Sequence, residues 1–350
     1  MRVLCLTKYP RSGPSSRYRL LQFVPYLETR GLRLDVQSLH DESYLRARFA
    51  GRRLPRRYYV RRFAARLRVL AKARRYNVLF VQKELFPWLP GFFEALADAA
   101  HIPMVLDVDD AIYLFYRGRL LQHKIDRVMG HCELVLAGNR HLAEYAAQFA
   151  RRTELFPTVV DTRKFSPAPA GERAGDPTVG WIGSPETVAY LQALEPVLHE
   201  VYTRVPFRLC VVGADGSGFR RFPVDTHPWS EQTEVGDIRS MDVGIMPLPE
   251  SEWADGKCGL KLLQYMSCGV PAVATPRGST PDILRERNAG VCARTPEEWS
   301  EGLTMLLRSA SRRREMGRHA RATVRKRFSL EGAAPRLADI LIEVAGRRGR

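Results

Sequence analysis

Short apolar runs alternate with amphipathic stretches of helix length along most of the chain. Residues 3–7, 33–38, 78–81, 104–106 and 134–137 read as strands, the first followed by a Gly/Pro/Ser loop at 10–16 and a helical pattern over 17–29. Ser15 and Ser16 are expected as helix N-caps and Gly31 as the helix stop. This predicts a βαβ opening and a parallel sheet covered by helices on both faces. Periodicity fails between 157 and 177, where Pro157, Pro167, Pro169, Gly171, Gly175 and Pro177 punctuate a polar stretch suited to a linker. Strand-like runs resume at 178–182, 207–212, 243–246 and 270–274, with a helix up to about residue 204 and a basic helical tail from about residue 296. The fold class is therefore α/β, with two Rossmann-like, doubly wound domains in tandem, residues 1–163 and 164–330. A length of 350 residues agrees, being more than one hydrophobic core usually fills. In such sheets ligands bind beyond the carboxyl ends of the strands, so function is sought in the strand-to-helix loops.

Composition narrows the class. With 45% apolar and 27% charged residues the chain is expected to be ordered and soluble, and disordered or collagen-like structure is excluded. No run reaches the roughly 18–20 apolar residues of a membrane span, and the apolar start is too short for a secretory signal, so a cytoplasmic location is expected. Cys5, Cys132, Cys210, Cys258, Cys268 and Cys292 are scattered, without C-x-x-C spacing or clustered His, which points to reduced, mostly buried thiols rather than disulfides or zinc.

Charge changes the picture once it is located. Residues 1–75 hold 20 Lys/Arg against Glu28, Asp35, Asp41 and Glu42, an excess of 16 out of the chain's net +17. Residues 46–75 alone carry 13 basic residues and no acid. Val60, Phe63, Leu67 and Leu70 recur at helical spacing there, which predicts a helix packing that stripe on the core while its arginines face out. Such a patch suits an anionic membrane surface, with Arg52, Arg53, Arg56, Arg57, Arg61 and Arg62 as contacts, each worth about 1 kcal/mol near the lipid. The bland alternative is a solvated face. Nucleic acid is not expected, for want of zinc-finger spacing, an RNP-like motif or a basic helix followed by heptads.

The densest chemical signal runs from Trp253 to Thr275 and reads as loop, helix, glycine stop and strand. Gly256 and Gly259 permit close backbone approach, and the N–H groups at the helix start form an anion site. Lys257 and Lys261, four apart, are expected to project to one side of that first turn and to hold a diphosphate. On structure alone, Lys261 would be an exposed helix residue and Cys258 core.

The segment Gly256-Lys257-Cys258-Gly259-Leu260-Lys261-Leu262-Leu263-Gln264-Tyr265-Met266-Ser267-Cys268-Gly269-Val270-Pro271-Ala272-Val273-Ala274 resembles the signature of the retaining glycosyltransferases of family 4, E-G-F-G-L-x-x-L-E-A-M-A-x-G-x-P-V-V-A. Gly278 to Leu284, the tail segments around Met316-Gly317 and Arg327-Phe328-Ser329, and Phe156 to Pro167 are similar to further motifs of that family in the same order. The resemblance implies the GT-B fold, with two Rossmann-like domains facing across a cleft and a last helix, 331–350, returning to the N-terminal domain. It implies transfer of a sugar from a nucleotide diphosphate sugar to a hydroxyl acceptor, without a metal or other cofactor. Donor contacts would then come from Gly183, Ser184, Lys257, Cys258, Gly259, Leu260, Lys261 and Gln264. Two departures stand out. The family's paired glutamates fall on Gly256 and Gln264, and its Arg and Lys after the first C-domain strand are replaced by Gly183-Ser184-Pro185. Gln264 keeps a neutral acceptor for the ribose hydroxyls, whereas Gly256 keeps nothing for the sugar.

Asp107, Asp109 and Asp110 end a strand, a pattern that by itself also fits the metal-binding D-x-D of the other large glycosyltransferase fold. By position in the resembled family, Asp109 stands where a His faces the donor sugar. Asp109 is therefore grouped with Lys257 and Lys261 as catalytic, and Asp109 and Asp110 as sugar or acceptor contacts; Asp110 as a plain helix cap is the alternative. Gly13 and Arg17, in the first loop, and Asn139, after the 134–137 run, complete the expected acceptor side, while Arg19 reads as surface. The expected partners are a nucleotide-sugar donor, a saccharide or lipid-linked acceptor of envelope polysaccharide or glycoconjugate synthesis, and the inner face of the membrane. An epimerase or hydrolase of the same fold, or a GT-B protein that only binds, remain the alternatives.

Overall fold

The computed structural model describes residues 1–169 and 175–347; Gly171, one of the expected linker breakers, lies outside them. The chain forms two compact units. Unit 1 comprises Met1–Thr158, Asp255–Cys258 and Leu330–Arg350, and unit 2 comprises Val159–Ala254 and Gly259–Ser329. The first thus gathers three stretches of sequence, including a four-residue strap that precedes the signature helix.

Unit 1 is built on a parallel sheet of β1 (Arg2–Thr7), β2 (Arg33–Ser38), β3 (Val78–Gln82), β4 (Met104–Val108), β5 (Leu134–Ala137) and β6 (Thr153–Leu155), in the order β2-β1-β3-β4-β5-β6. β3, β4 and β5 are buried throughout, and they are apolar except for Gln82 and Asp107 near their carboxyl ends. The expected helix over 17–29 is in three pieces: a turn at Pro14–Ser16, a wide-pitched π turn at Arg17–Leu21 closed by Gln22 N–H to Arg17 C=O at 2.9 Å, and Val24–Thr29, with Pro25 at its start. Proline has no N–H to continue the ladder, so the break falls there. The cap position is Gly13, not Ser15 or Ser16; the Ser16 hydroxyl instead donates to Gln82 Oε1 at 2.6 Å. Gly31 does end the helix, at φ +77°. The helix Leu330–Gly346 lies in this unit, tied by Asp339 to Arg30 at 3.1 Å and Glu343 to Arg152 at 2.6 Å.

Unit 2 has a second parallel sheet of β7 (Thr178–Ile182), β8 (Arg208–Val212), β9 (Val224–His227), β10 (Val243–Met246), β11 (Ala272–Ala274) and β12 (Val291–Cys292), in the order β12-β11-β10-β7-β8-β9. Trp181, Leu198, Phe207, Ile245 and Leu303 are among the residues of its core. Pro196 divides the expected helix before 204 into Val188–Gln192 and Glu195–Arg204. Residues 159–169 pack into this unit: the Arg321 guanidinium donates to Phe165 C=O and Ser267 C=O, and that of Arg239 to Ser166 C=O at 2.6 Å. Five cysteines are buried and Cys292 is exposed. Among the described residues no helix is long and apolar enough to cross a membrane.

The basic run departs from its sequence reading. Its helix, Arg56–Leu70, exposes Val60 and Leu67 and buries Arg66. The cause is the end of the sheet, whose last carbonyls turn toward this helix and accept from its guanidinium groups. Arg66 donates to the carbonyls of Thr7 at 2.6 Å and Gln37 at 3.1 Å, and Arg62 to those of Leu39 at 2.6 Å and Ser38 at 2.7 Å. Arg62 therefore leaves the outward set, while Arg52, Arg53, Arg56, Arg57 and Arg61 stay exposed. Replacing Arg66 with Leu is expected to cost about 3 kcal/mol of unfolding free energy. Arg61→Leu, on the exposed side, should stay within about 0.5 kcal/mol, both read from urea unfolding; equal losses would contradict the assignment.

Candidate functional site

Each sheet has one place where the strand order reverses, and there the connections leave on opposite faces and open a crevice. In unit 2 it lies between β7 and β10, which pair only through Val179 with Val243 and Gly180 with Gly244, whereas β7 stays paired with β8 as far as Ile182. Tyr265, from the helix Leu260–Ser267, fills the gap. Its hydroxyl accepts the Ile182 N–H at 2.9 Å and donates to Ile245 C=O at 3.4 Å, and burial pushes the phenol pKa well up, so it stays neutral. A side chain at Gly244 would meet that ring at 2.5 Å. The helix is thus fixed to the strand ends. Gly259 caps it at φ +69°, and a Cβ there would come 2.5 Å from Ile283 Cδ1.

This geometry brings Lys261, on the first turn, to Gly183. The Lys261 ammonium lies over the Trp181 ring, 4.2 Å from its centroid, and 3.5 Å from Thr187 Oγ1, and a Cβ on Gly183 would stand 2.6 Å from Nζ. Ser184 follows, its carbonyl turned to the Thr187 N–H at 2.9 Å. A cation, the N–H groups of a helix start and a bare glycine therefore share one rim, the chemistry that receives phosphate oxygens. Leu260 opens the helix and Gln264 is buried on it. A separate cavity of about 510 Å³ in this unit is lined by Tyr190, Pro247, Leu248, Thr275, Arg277 and Trp299 among others; it does not include Lys261 or Gly183.

Lys257 is placed elsewhere. The helix starts at Leu260, so Lys257 is not on its first turn, and in unit 1 its ammonium lies 2.9 Å from Asp110 Oδ1. The strap around it is held at several points. The Asn139 amide donates to Asp255 C=O at 2.9 Å and Lys257 C=O at 3.1 Å while its oxygen caps the helix Arg140–Ala146. The Cys258 thiol donates to Asp109 C=O at 3.2 Å, and a Cβ on Gly138 would collide with that sulfur at 2.4 Å. Gly256 lies against Ala111, where a Cβ would be 2.7 Å from both the Ala111 Cβ and its nitrogen, so the residue that is Glu in the resembled signature has no room here.

The acidic run is met by bases. Asp107 is fully buried and bonded to Arg19 through Nε at 3.0 Å and Nη2 at 2.5 Å, which places Arg19 in the core and not on the surface. Lys83 lies 3.0 Å from Asp109 and 2.5 Å from Asp110, from a backbone at φ +66°. Burial opposes ionisation of Asp110, but Lys83 and Lys257 outweigh it and hold the carboxyl well below the usual range. At Asp107 burial wins over Arg19 and the pKa is raised. In the first loop, Gly13 lies against Tyr9, and Arg17 is buried with its guanidinium 4.9 Å from the Tyr18 ring. Tyr265 and Thr187 were not singled out from sequence as site residues, whereas Lys83 is legible there as part of Gln82-Lys83-Glu84, which ends a strand on the side where ligands bind.

Residues 176–309 match the family model described as Glycosyl transferases group 1. The chain is 27% identical over 249 residues to a D-inositol 3-phosphate glycosyltransferase of Segniliparus rotundus, covering 60% of this chain and 53% of that protein. It is 27% identical over 116 residues to an N-acetyl-alpha-D-glucosaminyl L-malate synthase of Bacillus anthracis, covering 33% of this chain and 29% of that protein. The match thus spans about half or less of these relatives' length. Among solved structures, Anabaena Alr3699/HepE in complex with UDP and glucose superposes with a TM-score of 0.72 at 14% identity, over 98% of this chain and 100% of that one. A sucrose-phosphate synthase from Thermosynechococcus elongatus gives 0.68 at 12% identity over 99% of both chains.

Two outcomes follow from the geometry. Asp110, with its folded pKa lowered, contributes stability that is present above the ordinary aspartate range and lost as pH falls through it toward the folded value. Asp110→Asn should therefore lower stability at neutral pH and flatten its acid limb in unfolding curves; an unchanged limb would contradict the ion-pair account. Gly256→Glu should cost about 1–3 kcal/mol through overpacking against Ala111, and Ala111→Gly should recover part of it. Residues 176–309 are thus similar to the group 1 glycosyltransferases, in a chain with the fold of the GT-B glycosyltransferases.

Proposed function

We propose that the chain moves a sugar from a nucleotide diphosphate sugar to a hydroxyl of a saccharide or lipid-linked acceptor, with retention and without a metal. The observation that carries this is the Lys261 ammonium beside Gly183 at the start of the helix Leu260–Ser267. Charge grows on the diphosphate as the glycosidic bond breaks, and a fixed cation with helix N–H groups stabilises that charge most where it develops. The leaving phosphate then takes the acceptor proton. Gln264 serves the ribose as a neutral acceptor, and Asp109 and Asp110, oriented by Lys83, serve the sugar or acceptor. Support for the metal-free reading is the pairing of Asp107 with Arg19 and of Asp109 and Asp110 with lysines, which already matches their charge. Lys257 acts through Asp110, not on the diphosphate.

The exposed arginines of the N-terminal unit support an acceptor at an anionic membrane, at its inner face, in the synthesis of envelope polysaccharide or a glycoconjugate. The Gly256 contact with Ala111, which removes the family's sugar-contacting carboxylate, favours a second reading, a GT-B protein that binds donor without transfer.

A thermal-shift screen of UDP-, GDP-, ADP- and TDP-sugars on wild type and Lys261→Ala tests the diphosphate site. At least one donor should stabilise the wild type, with a clearly smaller shift in the variant, because one charge-assisted contact is lost. Equal shifts would remove Lys261 from the site. Nucleotide release that requires an acceptor extract marks transfer, release without acceptor marks hydrolysis or epimerisation, and binding without release marks the second reading.

A further inference from the structure

The helix Phe92–Ala99 of unit 1 is turned inside out. Glu94 is 1% exposed, its carboxylate accepting the Leu85 N–H at 2.9 Å, while Phe92 and Leu96 are 63% and 55% exposed. A helix on a core normally buries its apolar stripe and leaves its carboxylates in water. The turn before it, Pro87-Trp88-Leu89-Pro90, lifts Trp88 into solvent on a backbone at φ +66°, a costly conformation for a bulky residue. Trp88 is held there by its N–H to the Tyr116 hydroxyl at 3.1 Å, by the Tyr116 ring at 5.2 Å and by the Arg119 guanidinium 5.3 Å from its own ring. The fold therefore spends backbone strain to present an indole outward.

The basic helix Arg56–Leu70 is its neighbour. Phe63 meets Phe86 at 5.2 Å and Phe86 meets Phe93 at 4.7 Å, and the crossovers β2 to β3 and β3 to β4 run in the same direction, so right-handed connections put both helices on one face. On the outside of that helix Val60 and Leu67 stand among exposed Arg57, Arg61 and Arg68. No Asp or Glu occurs from residue 43 to residue 83. Among the described residues the exposed large apolar side chains all belong to unit 1, which makes unit 2 an internal control for what this chain does with such residues.

We infer that Trp88, Phe92 and Leu96, beside Val60 and Leu67, form an insertion face that enters the headgroup and upper acyl region of an anionic bilayer, the flanking arginines resting on lipid phosphates. The inference rests on the membrane reading above and goes further, from electrostatic attraction to insertion by named side chains. The occupant follows from charge complementarity: exposed apolar side chains flanked by arginines, with Glu94 buried and Asp98 paired to Arg151 and His131, suit an anionic lipid interface, where a hydrocarbon layer lies beneath a layer of negative charge. A partner protein or a second copy would need an acidic rim around an apolar centre, and this chain's own exposed apolar residues are flanked by arginines.

The test uses the full chain with vesicles of phosphatidylcholine alone and of equal parts phosphatidylcholine and phosphatidylglycerol, with and without bromine on the acyl chains. Comparison with Trp88→Phe isolates the Trp88 emission. The wild type should associate with the phosphatidylglycerol vesicles, and its Trp88 emission should shift to the blue and be quenched by acyl bromine. Phe92→Ser with Leu96→Ser should lower partitioning by about tenfold or more, with an unchanged melting temperature because both side chains point outward. Arg57→Ala with Arg61→Ala should weaken association chiefly at low salt. Salt-sensitive association with Trp88 unquenched, and with the double serine variant unaffected, would overturn insertion and leave electrostatic docking standing. No association with either vesicle would overturn both readings. A wild-type dimer abolished by the serine pair, without lipid binding, would show that a second copy covers the face and would overturn the inference.

Discussion

The hydroxyl of Tyr265 stands where β7 and β10 part, and the placement of the helix that carries Lys261 depends on it. Two parallel strands that diverge leave an N–H on one and a carbonyl on the other without each other, and both would be costly if buried unpaired. One phenol satisfies both, from Ile182 to Ile245, and so ties the helix Leu260–Ser267 to the strand ends. The absence of a side chain at Gly244 lets the ring in, and the absence of one at Gly183 leaves room for the Lys261 ammonium. The anion-receiving rim is thus a consequence of packing set a turn deeper in the helix, and Lys261 is positioned before any ligand arrives.

At the other sheet, arginine supplies donors to the strand ends. Arg62 and Arg66 satisfy the carbonyls at the ends of β1 and β2, and Arg19 neutralises the buried Asp107 at the end of β4. A surplus of basic residues in the first 75 positions therefore has two uses, one internal and structural, the other external. The helix Arg56–Leu70 can turn arginines inward and valine and leucine outward only because the carbonyls inside accept from guanidinium groups. An arrangement that looks inverted by hydrophobicity is consistent by hydrogen bonding.

The interior strands were legible because strands buried on both faces carry apolar runs, as 78–81 and 134–137 do. Three of the four edge strands were not: Thr153–Leu155, Val224–His227 and Val291–Cys292 are short, half solvated and carry polar residues, so their pattern matches loop, whereas the six-residue edge strand Arg33–Ser38 was read. The segment from Trp253 to Thr275 was legible as loop, helix, glycine stop and strand, and the helix is Leu260–Ser267. The four-residue spacing also implied that Lys257 shares the first turn with Lys261, but spacing implies a shared helical face only if the helix has begun, and the glycine at φ +69° delays it to Leu260. Arg19 and Arg66 could not be told from surface arginines, since what buries them is a carboxylate or a carbonyl distant in sequence, and hydrophobic periodicity carries no record of those.

The most direct measurement is a crystal structure with the nucleoside diphosphate that stabilises the protein. The account predicts the diphosphate oxygens within hydrogen-bonding distance of the Lys261 ammonium and the N–H groups of the helix start, with the chain at Gly183 in van der Waals contact. A diphosphate lodged instead in the cavity lined by Tyr190, Arg277 and Trp299, with Lys261 still over the Trp181 ring, would contradict it.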